Sequence, residues 1–360
     1  MARTASLARS VTIKDIAKRL GLSHTTVSRA LNDHAQTSER TKALVRGMAA
    51  ELGYVPNVTA QIMRGAPSRL IGLVVPMVRT ELYGSVTTDL AEKCRAAAYH
   101  LVLAITEDDP DTELSQVQTL IDARAAGIII TPSAAPHRRT IELLRSVPTI
   151  QMNRFHPKVR ADAVIFDDAA GTRAATDHLL ALGHRRIAFV GGRGDLSTGA
   201  GRLAGFMGAH RAAGVEVNSG LIHQGPSLRH FGYAAMTAIC SEKLMPTAIV
   251  FGAAQLTTGG LEALHAGSLR IPHDLSVVGY SDPSWFHLVR PALTTIALPV
   301  GAMAETTASL LFARIGDVRT NAAGTPRRTV RVPLAPELIV RDSTAPPGQP
   351  VRLRLAHNAP

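Results

Sequence analysis

Two hydrophobic rhythms divide the chain. From residue 13 onward, apolar positions recur at helical spacing: Ile13, Ile16, Ala17 and Leu20 line one face until Gly21 interrupts them. Val27, Ala30 and Leu31 line a second short helix. Ser38 then stands where an N-cap belongs, ahead of the amphipathic run "ERTKALVRGMAAELGY" with its early Glu39. "VPN" at 55–57 breaks the chain, "VTAQIMRG" reads as one more short helical piece, and Pro67 closes the segment.

From Arg69 the rhythm changes. "LIGLVVPMV" (70–78), "HLVLAIT" (100–106), "GIIITP" (127–132), "PTIQMN" (148–153) and "AVIF" (163–166) are apolar, β-branched runs, with helical stretches such as 85–98 and 112–125 between them. The alternation restarts with "RIAFVGG" (186–192), "GLIHQG" (220–225), "TAIVFG" (247–252) and "LSVVGYSD" (275–282). Continuously apolar strands alternating with helices predict parallel sheets covered on both faces. Two successive runs predict two similar lobes.

Charge refines this division. The 360 residues carry a net charge of +11, and residues 1–68 alone hold ten Lys/Arg against four Asp/Glu. A basic head on a nearly balanced body points to a polyanionic partner, the alternative being a solvated basic surface. Cys94 and Cys240 have no CxxC or His-rich company and read as small buried hydrophobes in a reducing compartment. "MARTASLARSVTIKD" lacks the apolar core of a signal peptide, and no run of about 18 apolar residues occurs, so a cytoplasmic protein is expected, with no membrane partner.

Within the head, Ala17, Gly21 and Val27 stand at the spacing of a helix-turn-helix. Ala17 lets two helices approach, Gly21 takes the turn, and Val27 packs between them. With Val27, Ala30 and Leu31 turned inward, His24, Thr25, Ser28, Arg29 and Asn32 face outward. Arg29 can contact guanine with two hydrogen bonds in a major groove. Thr26 and Asn32 suit phosphate oxygens. The competing reading is an αα-hairpin with a solvated polar face.

"VTIKDIAKRLGLSHTTVSRALN" followed by "SERTKALVRGMAAELGYVPNVTAQIMR" resembles the head of the LacI/GalR family of bacterial transcriptional regulators. "LGHRRIAFVGG", "GAGRLAGF", "IPHDLSVVGYSD" and "PALTTIALPVG" extend the resemblance to about Thr344. It implies an α/β protein with an all-α helix-turn-helix head and a two-lobed, periplasmic-binding-protein-like body containing two parallel sheets. The implied divisions are a DNA-binding domain at 1–56, a hinge helix at 57–67, an effector-binding and dimerisation domain at 68–344 and a disordered tail at 345–360. Asn57 would join the DNA contacts, and Met63 would wedge into the minor groove or else cover the lobe interface. A helix this short persists only against a partner.

By the same resemblance, Tyr83, Asn153, Thr198, Arg202, Ala254 and Asp282 would face an effector between the lobes. Several cleft acids usual in the family are absent: Met77, Asn153 and Ser281 stand at the places of aspartates, although Asp282 follows, and Ala253 and Ala254 replace an Asn-Asp pair. Arg202 without them would be an underpaired cation, which favours an anionic effector such as a sugar acid or phosphorylated metabolite. In the alternative, Arg202 pairs with Asp282 or Asp195 and the effector is a neutral sugar, a nucleobase or absent. The implied function is a dimeric repressor on a near-palindromic operator, nucleoid-associated, with no cofactor or metal. An NAD-dependent enzyme is the rival: "AFVGGRGD" follows a strand, but a full GxGxxG and the ribose-binding acid are missing.

Overall fold

The computed structural model describes residues 11–31, 33–34, 36–54, 68–320 and 328–348. The chain divides into two compact units at Pro67 and Ser68. The expected hinge at 57–67, Asn57 and Met63 with it, lies outside the described residues, as does Asn32.

The first unit holds α1 (Ile13–Leu20), α2 (His24–Leu31) and α3 (Glu39–Glu51). Thr12 and Asp15 form a reciprocal capping box at the start of α1. Ile16, Ala17, Val27, Ala30, Val45 and Ala49 form one buried cluster shared by all three helices. Asp33, just past α2, pairs with Lys42 and Arg46 of α3, tying the helices electrostatically where the cluster ends.

Among its described residues the second unit contains two six-stranded sheets. The first has the order β11-β5-β4-β3-β1-β2, from β1 (Leu70–Val75), β2 (His100–Ile105), β3 (Gly127–Ile130), β4 (Thr149–Asn153), β5 (Asp162–Phe166) and β11 (Arg331–Leu334). The second has the order β12-β10-β9-β8-β6-β7, from β6 (Ile187–Gly192), β7 (Ile222–Gly225), β8 (Ala248–Phe251), β9 (Ser276–Tyr280), β10 (Thr294–Ala297) and β12 (Glu337–Ile339). The first sheet is wholly parallel. The second is parallel except at its edge, where β12 runs antiparallel to β10.

Among the described residues eight further helices cover the sheets: α4 (Glu81–Ala96), α5 (Pro110–Asp122), α6 (Arg138–Leu144), α7 (Asp168–Ala181), α8 (Ser197–Ala212), α9 (Arg229–Cys240), α10 (Ala254–Ala266) and α11 (Val300–Arg319). The chain crosses between lobes three times. It leaves the first after β5, since α7 packs on α8 and β10. It returns after β10, since α11 lies on α4, β3, β4 and β5, and it crosses again between β11 and β12. Both lobes therefore share three strands of backbone as their hinge.

Close helix pairing depends on glycine. A Cβ on Gly205 would stand 2.2 Å from the Ala169 carbonyl, so α7 and α8 meet backbone to backbone there. Beyond β12 the chain is still held: Ser276 Oγ and His184 Nε2 bond the Ala345 carbonyl at 3.1 and 2.9 Å. Structure thus continues past Thr344, where a disordered tail was expected to begin, and residues 349–360 lie outside the described residues.

Candidate nucleic-acid interface and ligand cleft

In the first unit, Gly21 adopts φ +65°, the left-handed conformation that ends α1, and Leu22 N–H returns to the Ala17 carbonyl at 3.0 Å. Ser23 then caps α2, its Oγ accepting from Thr26 N–H at 3.0 Å. Val27 and Ala30 are fully buried, which fixes the rotation of α2 about its axis. His24, Thr25 and Arg29 are exposed on the other side, with Thr26 and Ser28 half-buried at its margins. The Thr26 hydroxyl is engaged with Ser23 Oγ at 2.9 Å. Arg29 makes no ion pair among the described residues, whereas Lys42 and Arg46 are occupied by Asp33. Among the described residues the outward face therefore presents the Arg29 guanidinium without an ion pair, beside the Thr25 hydroxyl, on a helix whose opposite side is buried.

In the second unit, a cleft of about 910 Å³ lies between the lobes. Open α/β sheets place ligands at the carboxyl ends of their strands, and both sheets point those ends here. Tyr83, Asn153, Thr198, Arg202 and Ala254 all line it. Asn153 has φ +65°, a conformation that asparagine tolerates better than most residues, and its Nδ2 donates to the Tyr83 hydroxyl at 2.9 Å. Its Oδ1 is buried with no partner among the described residues. Thr198 is 7% exposed, and its hydroxyl makes no described hydrogen bond.

Asp282 does not line the cleft. It turns away to accept from both terminal nitrogens of Arg341, at 2.8 and 2.7 Å. Asp195 accepts from Arg193 at 3.0 Å. Neither is the partner of Arg202. That partner is Asp168, the first residue of α7, whose Oδ1 accepts from Arg202 Nε at 2.8 Å and also from the Tyr280 hydroxyl. Arg202 Nη1 donates to the Gly252 carbonyl at 2.6 Å, and its guanidinium lies 3.9 Å from the Tyr280 ring centre. Burial opposes the arginine charge, but Asp168 and Tyr280 outweigh it, and the Arg202 pKa is raised. The expectation of an anionic effector rested on an underpaired Arg202, and that ground falls away.

Sequence reasoning missed Asp168, Tyr280 and Trp285. The signal for the first was present in "FDDAAG": Asp167 Oδ1 caps α7 through Ala170 N–H at 2.9 Å, leaving the second acid for another task. Trp285 lines the cleft and is the chain's single tryptophan. Glu81 spans the cleft mouth, accepting from Ser284 N–H at 3.1 and 3.2 Å. Among the described residues no group of His, Cys, Asp and Glu is arranged to hold a metal. Cys94 is a core residue whose thiol burial pushes up to about 11.

Residues 12–57 match the family model described as bacterial regulatory proteins, lacI family, and residues 176–344 match that of a periplasmic binding protein-like domain. The HTH-type transcriptional regulator DegA of Bacillus subtilis is 30% identical over 93% of this chain and 98% of its own length. The HTH-type transcriptional repressor PurR of Klebsiella pneumoniae is 31% identical over 93% of this chain and 97% of its own. The structure of the Lac repressor dimer bound to operator and the anti-inducer ONPF superposes with a TM-score of 0.80 at 24% identity, covering 94% of this chain and 100% of that one. This last likeness concerns the fold.

Proposed function

The chain belongs to the lacI family of bacterial regulatory proteins, and from that premise we propose that it is a dimeric repressor which reads a near-palindromic operator through α2 and is controlled by a small molecule in its cleft. It is a DNA-binding transcription regulator and not an enzyme. The observation that carries the operator reading is the outward face of α2. Arg29, Thr25 and His24 are exposed on a helix whose rotation is fixed by Val27 and Ala30. Ser28 stands half-buried beside them.

One such helix covers only a few base pairs, so useful affinity requires two heads on symmetric half-sites. β2 supports a second copy. It is an edge strand of the first sheet with Val102, Leu103 and Ile105 exposed at 38%, 40% and 38%. Apolar edges of this kind are normally covered.

Effector control follows from the three backbone crossings. A ligand touching both walls of the cleft favours one degree of lobe closure, and only a ligand with unequal affinity for the two states acts as a switch. Fluorescence anisotropy on operator duplexes, with one or two half-sites and at fixed salt, tests the whole reading. Stronger binding to the two-site duplex is expected, and equal binding to both would refute the dimeric part.

A further inference from the structure

The second lobe presents three helix N-termini to the cleft without a side-chain cap. The N-cap residues of α8, α9 and α10 are Leu196, Leu228 and Ala253, and none accepts a hydrogen bond from its helix. All three line the cleft. In the first lobe, by contrast, Thr80 and Asp109 cap α4 and α5. The first amide N–H groups of a helix need acceptors, and the aligned peptide dipoles add positive potential at that end.

Helix ends alone do not make a site, but two buried side chains point to the same ligand. Thr198, in the first turn of α8, has a hydroxyl with no described hydrogen bond although only 7% of the residue is exposed. It shares a face with Arg202 one turn on, and Arg202 reaches the Gly252 carbonyl, two residues before α10 begins. The N-termini of α8 and α10 thus converge beside Thr198. On the opposite wall, the buried Asn153 Oδ1 lacks a donor. The cleft therefore asks for an acceptor-bearing end toward the second lobe and a hydrogen-bond donor toward the first.

Between these ends the lining carries two apolar stretches, Met77, Val78 and Leu82 on one side and Leu196, Leu228 and Trp285 on the other, set among polar and charged side chains such as Glu81, Asp108, Arg154 and Gln255. Hydroxyls laid on these apolar stretches would lose water without gaining partners, so the part of a ligand seated between them is best apolar. Resting on the reading of this cleft as the effector site, we propose that its ligand is a small carboxylic acid with an apolar, ring-sized body. The carboxylate lies against Thr198 and the uncapped ends of α8 and α10, and a donor group such as a hydroxyl meets Asn153.

Isothermal titration of the full chain with 4-hydroxybenzoate, benzoate, 4-hydroxybenzyl alcohol, gluconate and glucose tests this, with Trp285 fluorescence reporting whether the cleft is the place of binding. Saturable binding of the aromatic acids with a Trp285 response is expected, about tenfold or more above the uncharged alcohol. Neither gluconate nor glucose should bind. Ala253→Asp, which places a carboxylate at the start of α10, should weaken the acids by about tenfold and the uncharged alcohol much less. Preference for gluconate or glucose, no binding of either aromatic acid, or indifference of the acids to Ala253→Asp would overturn the proposal. Operator binding by the same preparations separates the two readings. Operator binding without acid binding removes only this inference, and acid binding without operator binding removes the regulatory reading instead.

Discussion

Arg202 and Asp168 face each other across 34 residues of sequence, Nε to Oδ1 at 2.8 Å, and both are 7% exposed. The pair joins α8 to the start of α7 at the cleft wall, which Arg202 helps to line. Asp168→Asn would leave a buried guanidinium without its counter-charge, a change that costs about 3–5 kcal/mol. A fall in Tm on the order of 10 °C is expected by calorimetry. The double variant Asp168→Leu with Arg202→Leu should lose much less, because it removes both charges together. If the single variant melts like the parent, the pair contributes no stability.

His184 holds the chain beyond β12. It is 1% exposed, with Nδ1 against the Thr247 hydroxyl at 2.8 Å and Nε2 on the Ala345 carbonyl at 2.9 Å. That arrangement suits a neutral ring which accepts at Nδ1 and donates from Nε2. Burial holds its pKa below the ordinary 6.5, with His178 adding to the effect and the Ala345 carbonyl opposing it. Folding therefore releases protons from this group: its contribution is full above the unfolded-state value and is lost as pH falls below it. Tm should decline by a few degrees on acidification from neutral pH through about 6. His184→Gln keeps one donor and one acceptor and should show a shallower decline. Equal slopes in the two proteins would exclude His184 as the cause.

Much of the head was legible in the sequence because its constraints are local. Ala17, Gly21 and Val27 act within ten residues of one another, and burial of Val27 and Ala30 decides which way Arg29 points. The periodic strands of both lobes were legible for the same reason. Three short strands were not. β11 ("RVPL") is a half-exposed edge strand containing Pro333, and β10 and β12 are only four and three residues long, so none shows a continuous apolar run. The Arg202 partner was also out of reach. Asp282 and Asp195 are the acids nearest the motifs in sequence, but the order of the second sheet and the α7–α8 packing bring Asp168 there instead.

Ala253 opens α10 with no side-chain acceptor. Replacing it by aspartate supplies a cap that typically adds about 0.5–2 kcal/mol, so Ala253→Asp should raise Tm. Greater stability together with weaker acid binding would mean that the exposed helix end is kept for the ligand. A lowered Tm would show that the cap geometry is not available.

Leu103, 40% exposed on the edge strand β2, tests the dimer. Leu103→Asp should shift sedimentation from dimer toward monomer and weaken binding to a two-half-site operator more than to a single half-site. An unchanged dimer would place the interface elsewhere.

On the proposed reading, α2 recognises DNA sequence through Arg29. The most direct test selects genomic fragments with the purified parent and with Arg29→Ala at one near-physiological salt concentration, then compares the bound motifs. The parent should yield a near-palindromic motif. The variant should fold normally and keep salt-sensitive binding, but lose about 1–3 kcal/mol of discrimination at one symmetric pair of base positions. An identical motif from both proteins would contradict the claim.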